Sequence, residues 1–123
     1  MSHAVDLELK QAFTELQAKQ QMTKEVIQNC QRNIEVARRC KQIATLTHLE
    51  VKNLDENVKI YESLGRCFVM TPREEVIENL QTKIDEYTKE GKQETEKIQL
   101  AEGKLKEAEN SLRELVQQKK TRS

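Results

Sequence analysis

Two long stretches of this sequence carry apolar residues at alternating steps of four and three positions. This spacing is the heptad signature of helices that pack along one side as a coiled coil. The first stretch, with eight apolar positions of eleven, steps through Leu9, Phe13, Leu16, Gln20, Thr23, Ile27, Cys30, Ile34, Ala37, Lys41 and Ala44. The second, with ten of thirteen, steps through Ile77, Leu80, Ile84, Tyr87, Gly91, Glu94, Ile98, Ala101, Leu105, Ala108, Leu112, Leu115 and Lys119.

The two stretches match in length, since the segments from Leu9 to Ala44 and from Ile77 to Leu112 each span 36 residues. Folding one helix back on the other covers both apolar stripes within one chain. In that arrangement Leu9 lies opposite Leu112 and Ala44 lies opposite Ile77. Gly91 interrupts the second stripe and should weaken its helix locally by about 1 kcal/mol. It either serves a close approach of the helices or is simply tolerated there.

We therefore predict a mostly α fold, a long antiparallel two-helix coiled-coil hairpin with a short β-hairpin at the bend. Residues 1–123 are expected to form a single domain. Its helices are expected over about 5–44 and 72–119, and the bend over 45–71 is expected to be the assembly region.

The bend carries its own local signals. Thr47 and Glu50 have the spacing of a capping box, which predicts a short separate helix. Residues 58–64 and 66–70 are mostly β-prone, and Gly65 between them suits a tight turn. After them, Thr71 and Pro72 predict the start of the last helix, with Thr71 as N-cap.

Composition excludes several classes of protein. Aromatic residues make up only 3% of the chain and charged residues 34%, which is unlike a compact globular core. Lysine plus arginine and aspartate plus glutamate balance at 21 each, so general attraction to nucleic acid is not expected. No apolar run approaches a membrane span, and the first residues lack a signal-peptide core. A cytosolic or nuclear protein is expected.

No catalytic, cofactor or metal site is expected. The three glycines are scattered, so no phosphate-binding loop is formed. Two histidines and three cysteines without a Cys-x-x-Cys spacing make neither a zinc set nor a nucleophile with its base. Cys30 is interpreted as a small apolar residue of the seam.

The β-hairpin predicts oligomerisation. An isolated hairpin is marginally stable in water, and its free edges invite pairing. Pairing with hairpins of other chains would cover its apolar side chains; the alternative is a hairpin folded down on its own helices. The residues proposed for assembly are Ile60, Tyr61, Leu64, Gly65, Phe68, Val69 and Met70.

The outer ends of the two helices predict a second surface. Apolar residues gather there with little chain left to cover them, so they suit loose binding of exposed apolar segments. The alternative is that they only close the end of the coiled coil. The residues of this predicted client-binding tip are Val5, Leu7, Leu9, Phe13, Leu112, Leu115 and Val116.

Three segments carry a resemblance to a known family. The segment Tyr61-Glu62-Ser63-Leu64-Gly65-Arg66-Cys67-Phe68-Val69 is similar to the Y-x-x-[VL]-G-R-x-F motif of β-type prefoldin subunits. The segments 5–19 and 106–112 also resemble this family.

The resemblance implies a function. Prefoldins are hetero-hexamers of two α-type and four β-type subunits, whose hairpins form a double β-barrel platform. Their tips hold unfolded actin and tubulin and deliver them to the cytosolic group II chaperonin, without nucleotide hydrolysis. The resemblance therefore implies that this chain is a subunit of a non-enzymatic, ATP-independent holdase. The main alternative is a coiled-coil scaffold or tether, which would explain the heptads but not the interrupting hairpin.

Overall fold

The computed structural model describes the backbone of residues 2–122 and the side chains of residues 7–121. Its elements are helix α1 (Ser2–Lys52), strands β1 (Tyr61–Leu64) and β2 (Cys67–Met70), and helix α2 (Arg73–Arg122). The predicted fold class is confirmed: two long helices flank a short antiparallel β-hairpin.

The chain divides into two compact units, and both helices contribute to each. The terminal unit consists of Met1–Arg32 with Glu94–Ser123, and the hairpin unit of Asn33–Gln93.

In the terminal unit the helices run antiparallel, with Lys119 paired to Glu8. Leu16 and Leu112 line the same surface depression, so the predicted facing of Leu9 and Leu112 is wrong by nearly one heptad. Apolar spacing fixes which face of a helix is covered, but a repeat leaves several registers open. In this unit the ion pair of Lys119 with Glu8 accompanies the observed register.

The second seam is confirmed throughout, since each of its thirteen stepped positions is buried or half-buried. The first seam differs at three positions. Phe13, Gln20 and Lys41 are exposed, whereas Ala12 and Cys40 are half-buried. Two spacings follow one face of a helix over a heptad: four residues and then three, or three residues and then four. At Ala12 and Cys40 the spacing of three and then four matches the covered face better.

In the hairpin unit, α1 continues to Lys52, so the separate helix predicted at Thr47 does not form. The Thr47 hydroxyl donates a hydrogen bond to the carbonyl oxygen of Ile43 at 2.8 Å, a bond of the helix interior rather than of a cap. No glycine or proline interrupts residues 41–52, so the helix has no reason to stop. It ends where the amide of Asn53 shares the carbonyls of Leu49 and Glu50, both at 3.2 Å.

The hairpin strands are shorter than predicted and pair in a single register, from Tyr61 with Met70 to Leu64 with Cys67. Val58 lies before them in a turn, with its amide bonded to the carbonyl of Asp55. The two-residue loop opens on Gly65, whose φ is 62°. None of the described non-glycine residues has a positive φ, so the loop fits a type II′ turn with glycine in its first central position.

Thr71 closes the hairpin instead of capping α2, which corrects the N-cap prediction. Its amide donates to the carbonyl of Ile60 at 2.9 Å, and its hydroxyl to the carbonyl of Val69 at 3.2 Å. The carbonyl of Pro72 accepts the first helical bond, from the amide of Val76. Extended backbone before a proline favours this outcome, because residue 71 continues the strand more readily than it begins a helix.

Side chains of α2 hold the bend in place. The guanidinium of Arg73 donates to the carbonyl oxygens of Leu54 and Asp55, just beyond the end of α1. Asn79 donates to the carboxylate of Glu62 in β1 at 3.4 Å. The hairpin is thereby attached at its base. Its turn and most of its apolar side chains face outward.

Candidate interaction surfaces

The hairpin presents apolar side chains on both faces. Directly paired residues share a face, so Tyr61, Ser63, Phe68 and Met70 lie on one face and Glu62, Leu64, Cys67 and Val69 on the other. Phe68 is 74% exposed and Leu64 is 71% exposed. Tyr61, Val69 and Met70 are exposed as well, whereas Ile60 is half-buried at the base.

The hairpin is therefore not folded down on its own helices, which was the alternative considered from the sequence. Both strands are edge strands, because β1 and β2 form a two-stranded sheet. Exposed edges and exposed apolar faces together make a surface suited to pairing with other strands. We call these residues, 60–70, the hairpin surface.

The predicted tip residues lie in different environments. Leu7 and Phe13 are exposed, whereas Leu9, Leu115 and Val116 are half-buried and Leu112 is buried. The side chain of Val5 lies outside the described residues. Leu7 and Phe13 thus offer apolar area directly to solvent, and the other four described residues support the helix contact beneath them. We call Leu7 and Phe13 the tip pair.

Sequence reasoning missed a groove in the terminal unit. It has a volume of about 760 Å³, and its wall includes Met22, Val26, Leu100 and Leu105. The first seam is polar at Gln20 and Thr23, and Thr23 lines the groove. Apolar residues just outside the stepped positions were the available signal, since Met22, Val26 and Leu100 have no place in either seam.

A second unanticipated feature lies on α1 in the hairpin unit. Val36, Ile43, Leu46 and Leu49 are exposed although they are large and apolar. They lie outside the covered face of α1, which includes the buried residues Ala37, Ala44 and Val51. These residues extend the exposed apolar area of the hairpin unit beyond the strands.

The electrostatics of the hairpin unit centre on Glu35. Arg38 donates two hydrogen bonds to its carboxylate, at 2.6 and 3.1 Å, and Arg39 donates one at 3.3 Å. The bond from Arg38 is the largest cause that lowers the pKa of Glu35, to about 2. Arg38 and Arg39 follow Glu35 at the helical spacings i+3 and i+4, which bring opposite charges together on a helix surface.

The three cysteines lie in three environments and are free thiols. Cys30 is 3% exposed, and burial followed by the nearby carboxylate of Glu94 raises its thiol pKa. Cys40 lies beside Tyr87 and raises the pKa of the Tyr87 hydroxyl. Cys67 is exposed on the hairpin. Among the described residues, no three His, Cys, Asp or Glu side chains are grouped to hold a metal ion.

No helix within the described range combines the length and the apolar character needed to cross a membrane.

Comparisons with known proteins agree on one family. Residues 14–119 match the family described as Prefoldin subunit. The chain is 39% identical over 117 residues to Prefoldin subunit 1 of Mus musculus, and 35% identical over 116 residues to that of Danio rerio. Both alignments cover 94% of this chain and 95% of the relative. Probable prefoldin subunit 1 of Caenorhabditis elegans is 34% identical over 122 residues, covering 94% of this chain and 98% of that protein.

One solved structure shares the fold. The prefoldin beta subunit from Thermococcus strain KS-1 matches with a TM-score of 0.67, over 87% of this chain and 90% of that chain. Its sequence is 19% identical, so the likeness concerns the fold alone.

Proposed function

This chain belongs to the prefoldin subunit family, and from that membership we propose that it is a β-type subunit of a hetero-hexamer with two α-type and four β-type members. The complex holds unfolded actin and tubulin chains without ATP and delivers them to the cytosolic group II chaperonin. The family gives the coarser part of this statement, a chaperone subunit with other prefoldin subunits as its partners.

The hairpin surface supports the assembly role. It offers two free strand edges and five exposed large apolar side chains, which are Tyr61, Leu64, Phe68, Val69 and Met70. Removing each such side chain from water contributes about 1.5 to 3 kcal/mol. A neighbouring hairpin can form hydrogen bonds along the free strand edges and can also cover the exposed apolar side chains. This exposed hairpin is the observation that carries the proposal.

The tip pair supports the holding role. An unfolded client presents short apolar segments, and Leu7 and Phe13 each offer a small apolar area to contact them. One such area binds weakly, whereas several arms of one complex bind a client together through their effective concentration. Weak contacts of this kind need no nucleotide to release a client, because each contact dissociates quickly by itself. The site of action proposed here is the cytoplasm, where the chaperonin receives the client.

The test of the holding role is aggregation of unfolded actin. Actin diluted from denaturant scatters light as it aggregates, and the co-expressed complex should suppress the scattering equally with and without ATP. A complex carrying Leu7→Glu and Phe13→Glu should lose most of this suppression. Val36→Glu is the matched control, since it also places a glutamate at an exposed apolar site of α1.

Native mass spectrometry of each variant complex confirms that assembly is unchanged before holding is compared. An assembled wild-type complex that leaves actin aggregation unaffected would contradict the holdase role and favour a scaffold or tether. A tip variant that suppresses aggregation as well as the wild type would remove the tip pair from the client site.

A further inference from the structure

The groove of the terminal unit has apolar walls that neither helix covers. Met22, Val26 and Leu100 are 66%, 45% and 61% exposed. Leu105 and Ala101 are half-buried and also line the groove. Exposed apolar residues that gather in one concave place mark an interaction site more often than singly scattered ones do.

The groove lies where both helices carry small side chains. Thr23 of α1 and Ala101, Ala108 and Ser111 of α2 are all small, and all four line the groove. Small residues on both sides leave space that the larger side chains at the rim do not fill. A coiled coil built only for stiffness would place large apolar residues here, so the sequence leaves this space at a cost in helix packing.

The charges around the groove are mostly positive. Lys19, Lys97 and Lys104 line it, against a single carboxylate, that of Glu107. Lys97 is paired with Glu94 at 3.0 Å. No carboxylate of the described residues forms an ion pair with Lys19 or Lys104. The local excess of positive charge favours a ligand that brings carboxylates next to its apolar part.

The walls also determine the backbone form of the ligand. Both walls are α-helices, α1 and α2, whose internal amide and carbonyl groups are already bonded to one another. An extended segment in this groove would leave its own amides and carbonyls without partners against apolar side chains. A helical segment satisfies them internally, so it can place an apolar stripe in the groove at lower cost.

We propose that this groove binds an amphipathic helix of another polypeptide, one that has an apolar stripe flanked by acidic residues. Its volume of about 760 Å³ lies in the range of ordinary ligand sites, ~300 to 1,000 Å³. It suits the few apolar side chains that one helix face presents over two or three turns. The site is separate from the tip pair, and its partner is a helix rather than an unfolded chain, so it goes beyond the holdase role.

The experiment uses the purified chain and a fluorescent peptide of about 18 residues, or five helical turns. The peptide carries leucines at i, i+3, i+4 and i+7 and glutamates beside them; a matched peptide carries lysines in place of the glutamates. Binding is followed by fluorescence anisotropy. Saturable binding of the acidic peptide, with at least tenfold weaker binding of the lysine peptide, is expected.

The variants locate the binding site. Leu100→Glu and, separately, Val26→Glu should weaken binding of the acidic peptide about tenfold or more, and so should Lys19→Glu combined with Lys104→Glu. Leu7→Glu and Phe68→Glu place the same charge at the tip and at the hairpin and should leave the affinity unchanged. All six substituted residues are exposed, and circular dichroism checks that each variant keeps its helices.

Three results would overturn the proposal. The acidic peptide fails to bind saturably, or it binds Leu100→Glu and Val26→Glu as tightly as the unaltered chain, or it loses as much affinity on Leu7→Glu as on Leu100→Glu. Equal affinity for the two peptides would overturn the acidic character of the partner. None of these results depends on assembly or on actin, so a failed holdase test and a failed groove test remain distinguishable.

Discussion

Arg73, the first residue of α2, donates a hydrogen bond to the carbonyl oxygen of Leu54, just past the end of α1. The same guanidinium also reaches the carbonyl of Asp55. The last carbonyls of a helix and of the residues after it lack helical partners, and here one side chain provides them. Arg73 therefore joins the two ends of the bend and sets where the hairpin begins.

Replacing Arg73 should destabilise the hairpin unit. Hydrogen bonds from a charged donor contribute about 1.5 to 3 kcal/mol when buried, and Arg73 is only half-buried. Arg73→Met should therefore lower the free energy of unfolding by about 1 to 2 kcal/mol, as measured by urea denaturation. Arg113→Met, on the exposed surface of α2, is the control and should change it little. Equal effects of the two substitutions would show that the contacts of Arg73 add no stability.

Two glycines should respond to alanine in opposite directions. Gly65 has a φ of 62°, which strains any residue with a Cβ. Gly65→Ala should cost about 1 kcal/mol locally and speed hydrogen exchange of the hairpin amides about fivefold. Gly103 lies in α2, where an added Cβ meets nothing within 4 Å. Gly103→Ala should stabilise the helix by about 1 kcal/mol and raise the melting temperature. Faster hairpin exchange in both variants, or in neither, would contradict this account.

Gly91 in α2 should respond to alanine as Gly103 does. An added Cβ there also meets nothing within 4 Å, so a close approach of the helices does not require this glycine. Gly91→Ala is expected to raise the melting temperature, as Gly103→Ala does.

The ion pairs of Glu35 predict a specific pH dependence. Its pKa is lowered from 4.5 to about 2 by Arg38 first of all. A carboxylate with a lowered pKa stabilises the folded state above its unfolded pKa, and this contribution is lost as the pH falls from 4.5 to 2. The difference in melting temperature between the unaltered chain and Glu35→Gln should therefore shrink through that window. Glu102→Gln, on the exposed face of α2, is the control. A difference that persists unchanged at pH 2 would contradict the assigned cause.

The cysteines predict a footprint of assembly. In the free chain, iodoacetamide should modify Cys67 about tenfold or more faster than Cys30, because Cys67 is exposed whereas Cys30 is buried and has a raised thiol pKa. In the complex, Cys67 should be protected if the hairpin surface is covered. Mass spectrometry of peptides containing each cysteine measures both rates. Cys67 that reacts equally fast in the free chain and in the complex would place assembly elsewhere.

Much of the fold could be predicted from the sequence, because an apolar repeat indicates which face of a helix is covered. The second seam was right at every stepped position. The first shifted by one residue at Phe13 and Lys41, since alanine at 12 and cysteine at 40 are small enough to face inward in their place. The motif around Gly65 predicted both the tight turn and the family, and the comparisons confirm the family.

The errors have different physical causes. The register of the helices depends on contacts between residues far apart in sequence, such as that of Lys119 with Glu8. The end of α1 at Lys52 and the role of Thr71 follow instead from local backbone preferences. Thr47 has the right spacing for a cap, yet helical residues on both sides outweigh it. The groove beside Met22 and Leu100 was missed because it consists of space between small side chains, which a search for apolar repeats does not report.

We propose that the hairpin surface joins this chain to other prefoldin subunits. Native mass spectrometry of the co-expressed subunits, with Phe68→Glu in this chain, tests it most directly. Leu100→Glu is the control, because it places the same charge on a comparably exposed apolar residue of α2. We predict a hetero-hexamer with the unaltered chain and with Leu100→Glu, and free subunits or smaller assemblies with Phe68→Glu. A hexamer that forms equally well with Phe68→Glu would contradict the account.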